Sequence, residues 1–185
     1  AGSDCFTLEA TSTATCNGNG NGYISVPTGG TGVWTWGERF TYWQHLANAG
    51  LISGKYTGRT DSTTSSYTLT VEKNCPSAKI SPLGMWDVYS TPPDSGNANA
   101  FPWIGGVMYT LRSDSPALNY PLYADELYSI DLKIDDGKPG KGILHTHKNS
   151  STSAPGCATT DDEDTAEYDL DYRTNRCHAR FAGDF

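Results

Sequence analysis

The chain has 185 residues, 36% of them hydrophobic, with twenty glycines, ten prolines and a formal net charge of -8 at pH 7. That length suits one globular domain with a buried core. The acidic balance, with no basic cluster to release counterions, speaks against nucleic acid and anionic lipid as partners, and no run of about twenty apolar residues offers a membrane span.

Residues 1–33 carry no sustained period; with Asn17-Gly-Asn-Gly-Asn-Gly22 and Thr28-Gly-Gly-Thr-Gly32 they read as loop. From Trp36 to Asn48 the spacing of Trp36, Phe40, Trp43, Leu46 and Ala47 predicts a helix, with Thr35 as N-cap and Gly50 just past its end. Its aromatic stripe reads as core packing. The alternation from Tyr67 to Val71 predicts a short strand, and Ile104 to Leu111 a second. Between them Thr91-Pro-Pro-Asp-Ser-Gly96 has the chemistry of a turn. A second helix is expected over about Leu122 to Lys133, opened by Pro121 and stopped by Asp135-Asp-Gly137. Strands over Gly142 to His147 and Tyr168 to Tyr172 complete an antiparallel sheet, so the pattern as a whole is α+β.

Five cysteines without a Cys-x-x-Cys pair point to an oxidising compartment. Cys157 and Cys177 bracket a polar, acidic segment and are expected to be bridged; Cys5 with Cys16 is the second expected pair, although Cys75 could replace either partner.

The pair Asp135 and Asp136 follows a helix whose C-terminal dipole repels carboxylates, so a compensating partner is required. An Asx turn closed by Gly137 is the structural reading, and calcium is the competing occupant, since hard oxygen ligands on a loop are what that ion takes. Asn17, Asn19 and Asn21, ahead of Gly22, mimic the first half of an EF-hand loop but lack its charge and its closing glutamate, with Thr28 in that place. Asp161, Asp162 and Asp164, in a run continued by Glu167, Asp169 and Asp171, are the more acidic calcium candidates, although such a run is commonly a solvated face. His145 and His147 on one strand would share a side at a spacing zinc can use, against the plainer reading of exposed strand histidines. His45 and His178 have no neighbour in sequence that signals catalysis. Nucleophile elbow, Walker loop, complete dinucleotide fingerprint and His-Glu-x-x-His are all absent from the sequence, so no catalytic residue and no cofactor-binding residue is assigned.

Three segments, Trp43-Gln-His-Leu-Ala-Asn-Ala-Gly-Leu-Ile52 with Gly54 and Gly58, Pro76-Ser-Ala-Lys-Ile80, and Asp131-Leu-Lys-Ile-Asp-Asp-Gly137 with Pro139 and Gly142, occur in an order and spacing that resembles the globular half of bacterial type IV pilin-like proteins. That family comprises the pilins of surface fimbriae and the pseudopilins of the type II secretion system. The resemblance implies an antiparallel sheet with helices packed on one face and disulfide-pinned loops, the C-terminal one closed by Cys157 and Cys177. It implies a structural filament subunit and not an enzyme, located in the periplasm or secreted outside the cell and in some cases serving cell adhesion. Its partners would be other copies of itself, related pilins and the inner-membrane assembly machinery. Such proteins begin with a long apolar helix that anchors the subunit before assembly. The present sequence is therefore expected to be a soluble ectodomain, a single domain over residues 1–185 with a disulfide-bounded loop at 157–177. A carbohydrate-binding module or adhesin using exposed aromatic rings is the alternative of a different class.

Overall fold

A computed structural model describes residues 20–24, 37–59, 68–80, 84–91, 99–102, 105–113, 120–152, 155–174 and 176–183. The chain divides into two compact units, one of residues 1–77 with 85–90, the other of residues 78–84 with 91–185. Helices and antiparallel strands are both present, as the α+β reading expects. Among the described residues no helix is long and apolar enough to cross a membrane.

The first unit is built on helix α1, Glu38–Asn48, and on residues 85–90 of strand β1, Gly84–Thr91. Phe40 and Trp43 are buried, as the aromatic spacing predicts, and Thr41 and Gln44 join them on the inner side. Trp36 and the expected cap Thr35 lie outside the described residues; the N-cap is Gly37. The helix stops where expected. Gly50 has a φ of 72°, its amide bonds Ala47 O and the Leu51 amide bonds Leu46 O, the paired closure that a glycine in the left-handed region allows. Arg39 enters the interior and meets buried Asp87 of β1 at 2.5 Å, so the one charge compensates the other away from water. Buried Cys75 places its Sγ 3.6 Å from Met85 Sδ. The strand expected over Tyr67 to Val71 is not formed in its described part: residues 68–70 are irregular and Val71 makes only an isolated bridge with Cys75. Asn74 explains this locally, because its side chain accepts from the Thr70 amide and donates to Thr68 O, folding the segment back on itself.

The second unit holds strand β2, Gly106–Ser113, helix α2, Ala124–Ile134, and strands β3, Leu144–His145, and β4, Ala179–Ala182. In it β4 pairs antiparallel with β2 on one side, Met108 opposite Ala182 and Leu111 opposite Ala179, and with β3 on the other, Leu144 opposite Phe181 and His145 opposite Arg180. The expected strand over Tyr168 to Tyr172 is absent; Tyr168 makes a single bridge to Ala158, and the sheet takes β4 instead. The residues from Glu167 to Arg173 do alternate, but the Tyr172 amide bonds Asp169 O at 3.2 Å, so the chain turns where a ladder would have to continue. Helix α2 starts two residues later than expected, where Glu126 reaches back to accept the Tyr123 amide at 2.8 Å. Ala124, Leu127 and Asp131 form its buried stripe. Cys157 and Cys177 form a disulfide with Cα atoms 5.6 Å apart, and Cys177 also bridges to Leu122 just before α2. Cys5 and Cys16 lie outside the described residues.

Candidate functional site

The end of α2 gathers charge. Asp131 and Asp135 are four residues apart, which puts both on one helical face, and Asp136 follows immediately. Together they form the one group of potential metal ligands among the described residues, with one ligand atom from each lying within 4.8 Å of the others.

Each carboxylate has its own anchor. Asp136 Oδ1 accepts the Lys138 amide at 2.8 Å, which is the Asx turn read from the sequence, closed at Gly137. Asp135 Oδ2 accepts the amides of Ile143 and Leu144, the latter at 3.1 Å, so it ties the helix end to the start of β3. Gly142 makes this possible: its φ is 72°, and a Cβ there would stand 2.0 Å from Asp135 Oδ2. Asp131 is fully buried, and its Oδ2 accepts the hydroxyl of Tyr168 at 2.9 Å. Burial pushes the Asp131 carboxyl up to about 6; the Tyr168 hydroxyl and the Gly137 amide pull it down, and the charges of Asp135 and Asp136 add to the rise. Burial and the Asp131 charge likewise raise the Tyr168 phenol. Three like charges at the negative end of a helix call for a proton or a cation between them.

The other calcium candidates lie apart from this group. Asp161 Oδ1 accepts the Ser150 amide, Asp162 Oδ1 accepts the Asp164 amide, and Asp164 pairs with Lys141 at 2.6 Å, all of them exposed. The Ser150 side chain and amide hold the Asp161 carboxyl below its usual range. Glu167 pairs with Lys138. Of the asparagine run, Asn17 and Asn19 fall outside the described residues, and Asn21 accepts the Tyr23 amide at 2.9 Å in a local turn.

The histidines correct the sequence reading. His145 and His147 are buried, and they take different partners: His145 Nε2 meets Gly142 O at 3.0 Å, whereas His147 Nε2 lies 2.8 Å from His178 Nδ1 and His147 Nδ1 lies 3.1 Å from Ser151 Oγ. The reason is register. The β3–β4 ladder ends at His145 opposite Arg180, and beyond it His147, which bridges to Ala100, meets the His178 ring just before β4. Tyr120 stacks on His178 with ring centroids 4.5 Å apart. Burial, reinforced by Arg180 and Arg112, lowers His147 to about 4; burial, with His147 and the same arginines, lowers His178 well below its usual value, so both rings are neutral at pH 7. Ser151, His147 and His178 stand in the order of a nucleophile with its base, and all three are buried. They act as a polar core network.

Sequence reasoning missed Asp131 and Tyr168. The signal for Asp131 was present: an acid on the apolar stripe four residues before Asp135. Nothing in the sequence placed Tyr168 beside it, 37 positions away. Comparison with protein-family models, curated proteins and solved structures gives no match to this chain.

Proposed function

We propose that this chain is the globular part of a type IV pilin-like protein, a structural subunit of a pilus or secretion pseudopilus filament. In this reading the α+β domain forms the filament surface and its lateral contacts. Many weak heterologous contacts that propagate helically would hold such an assembly, with no bond-making step. The observation that carries the reading lies in the segment with the main family-like motif. There Leu132 and Ile134 at the end of α2, and Ile143 beyond the turn, are 54%, 46% and 48% exposed, among the large apolar side chains that the described residues leave exposed. Cys157 to Cys177, closing the C-terminal loop, agrees with the same reading.

The test combines genetics with surface mutagenesis. The coding sequence upstream is expected to encode a glycine-phenylalanine-type processing site and an apolar helix. In the producing cell, Leu132→Asp or Ile143→Asp is expected to abolish filaments while the purified domain keeps its melting temperature. Filaments unaffected by both substitutions, or a purified domain that forms a tight dimer with a large apolar interface, would overturn the assembly reading.

A further inference from the structure

Past β3, residues 146–152 form a strap held by the Thr146 amide on Pro139 O at 2.9 Å, the Lys148 amide on Asn99 O at 3.0 Å and the Thr152 amide on Asn99 Oδ1 at 2.8 Å. Its anchor in the interior is one ring. His147 Nε2 lies 2.8 Å from Nδ1 of His178, the residue before β4, while His147 Nδ1 lies 3.1 Å from Ser151 Oγ of the same strap, and Tyr120 stacks on His178. All four side chains are buried. Two ring nitrogens at that separation share one hydrogen, one ring donating it and the other accepting through its lone pair. Once both rings are protonated, two N–H groups point at each other and the contact is lost. We propose that the His147–His178 pair is an acid-released latch, closed while the rings share a single hydrogen and opened by added protons, so that the strap lifts while the rest of the unit stays folded.

The surroundings favour release over a tolerated imidazolium. Arg112 of β2 and Arg180 of β4 both act on the rings with positive charge, and His145, two residues before His147, stands opposite Arg180 in the ladder with its Nε2 at Gly142 O. Tyr120 and Ser151, the remaining polar neighbours, are neutral groups. A proton taken up by the closed pair is therefore buried beside two guanidinium groups, whereas in the lifted strap it is solvated. The opening also has a boundary. Strands β2 and β4 pair from Met108 opposite Ala182 to Leu111 opposite Ala179, α2 bonds its own amides, and Cys157 is joined covalently to Cys177, none of these through a histidine. Lifting uncovers the Tyr120 ring, so the unit presents in acid an apolar surface that it hides at neutral pH. This latch does not rest on the filament reading and is complete in a monomer.

Amide hydrogen exchange of the 185-residue chain at pH 7 and pH 4, corrected for the intrinsic pH dependence of exchange, tests it. Protection of the Thr146, Lys148 and Thr152 amides is expected to fall about a hundredfold, the factor for one ring that titrates at about 4 when closed and at 6.5 when open. The Leu127 amide, bonded within α2 to Tyr123 O, should keep its protection. His147→Gln and His178→Asn each retain a hydrogen-bonding group near the contact but take up no proton in this range, and either is expected to remove the fall. Asp161→Asn, which keeps an acceptor for the Ser150 amide of the strap, should leave it intact. In the wild-type chain the ring resonances of His147 should titrate with the same midpoint as strap opening, and midpoints more than about one pH unit apart would break the link. Equal protection at the two pH values overturns the latch, as does a fall shared by Leu127, which is unfolding of the whole unit. A fall that survives in both histidine variants, or that vanishes in Asp161→Asn, overturns it by placing the acid-sensitive bond elsewhere.

Discussion

Asp131 occupies a position where the helix period calls for an apolar side chain, and the histidine pair sits where strand pairing calls for the same. Both place titratable groups in the interior, with opposite consequences for pH. His147 and His178 have folded pKa values depressed below their ordinary one by burial. For His147, between about 6.5 and about 4 the unfolded chain binds the proton and the folded chain does not, so its contribution is complete above 6.5 and is lost as pH falls through that window; His178 acts in the same direction. Asp131, raised to about 6, works the other way: its contribution is complete below 3.8 and is lost as pH rises through 6. The two are separable by substitution. His147→Gln should abolish roughly 3 kcal/mol of the acid-side loss of stability, measured as the difference between wild-type and variant urea midpoints at pH 7 and pH 4.5. An identical pH dependence in the variant would show that His147 is not buried neutral.

At the scale of elements, the hand-over from α2 to β3 rests on a division of labour between adjacent aspartates. Asp136 closes a turn through one exposed bond, whereas Asp135 satisfies two amides, that of Leu144 being partly buried. Loss of an exposed turn bond costs about 1 kcal/mol, and orphaning a buried amide costs up to about 3 kcal/mol. Asp135→Ala is therefore expected to destabilise two- to threefold more than Asp136→Ala in denaturant melts. Gly142→Ala should rival Asp135→Ala, since the new Cβ displaces the Asp135 carboxylate from the same amides. Equal losses for Asp135→Ala and Asp136→Ala would contradict this assignment. The turn itself was legible in the sequence, because Asp-Gly chemistry is local. The amides that compensate Asp135 were not, because they come from the next strand, eight and nine residues on.

For the whole molecule the disulfide is the main covalent constraint among the described residues. Cys157 and Cys177, separated by 20 positions, close a loop whose cross-link restricts the unfolded chain by about 3 kcal/mol in the entropic model. Non-reducing peptide mapping should recover the two joined, and reduction should lower the melting temperature by about 10 °C. Recovery of both as thiols in oxidised, folded protein would remove the pairing and the argument for an oxidising compartment together.

What the residues determined alone is what short-range physics controls. The apolar spacing of Phe40 and Trp43 set α1, Gly50 ended it, and Asp136 with Gly137 made the turn after α2, because helix period, left-handed glycine and side-chain-to-amide bonds act within a few positions. Tertiary structure decided the rest. Strand β4 earns its place only by pairing with β2 and β3, Tyr168 stays out of any ladder, and the His147–His178 contact and the burial of Asp131 under Tyr168 exist only because distant segments meet. Residues far apart in the chain carry no mutual pattern until a sheet register and a packed helix bring them into contact.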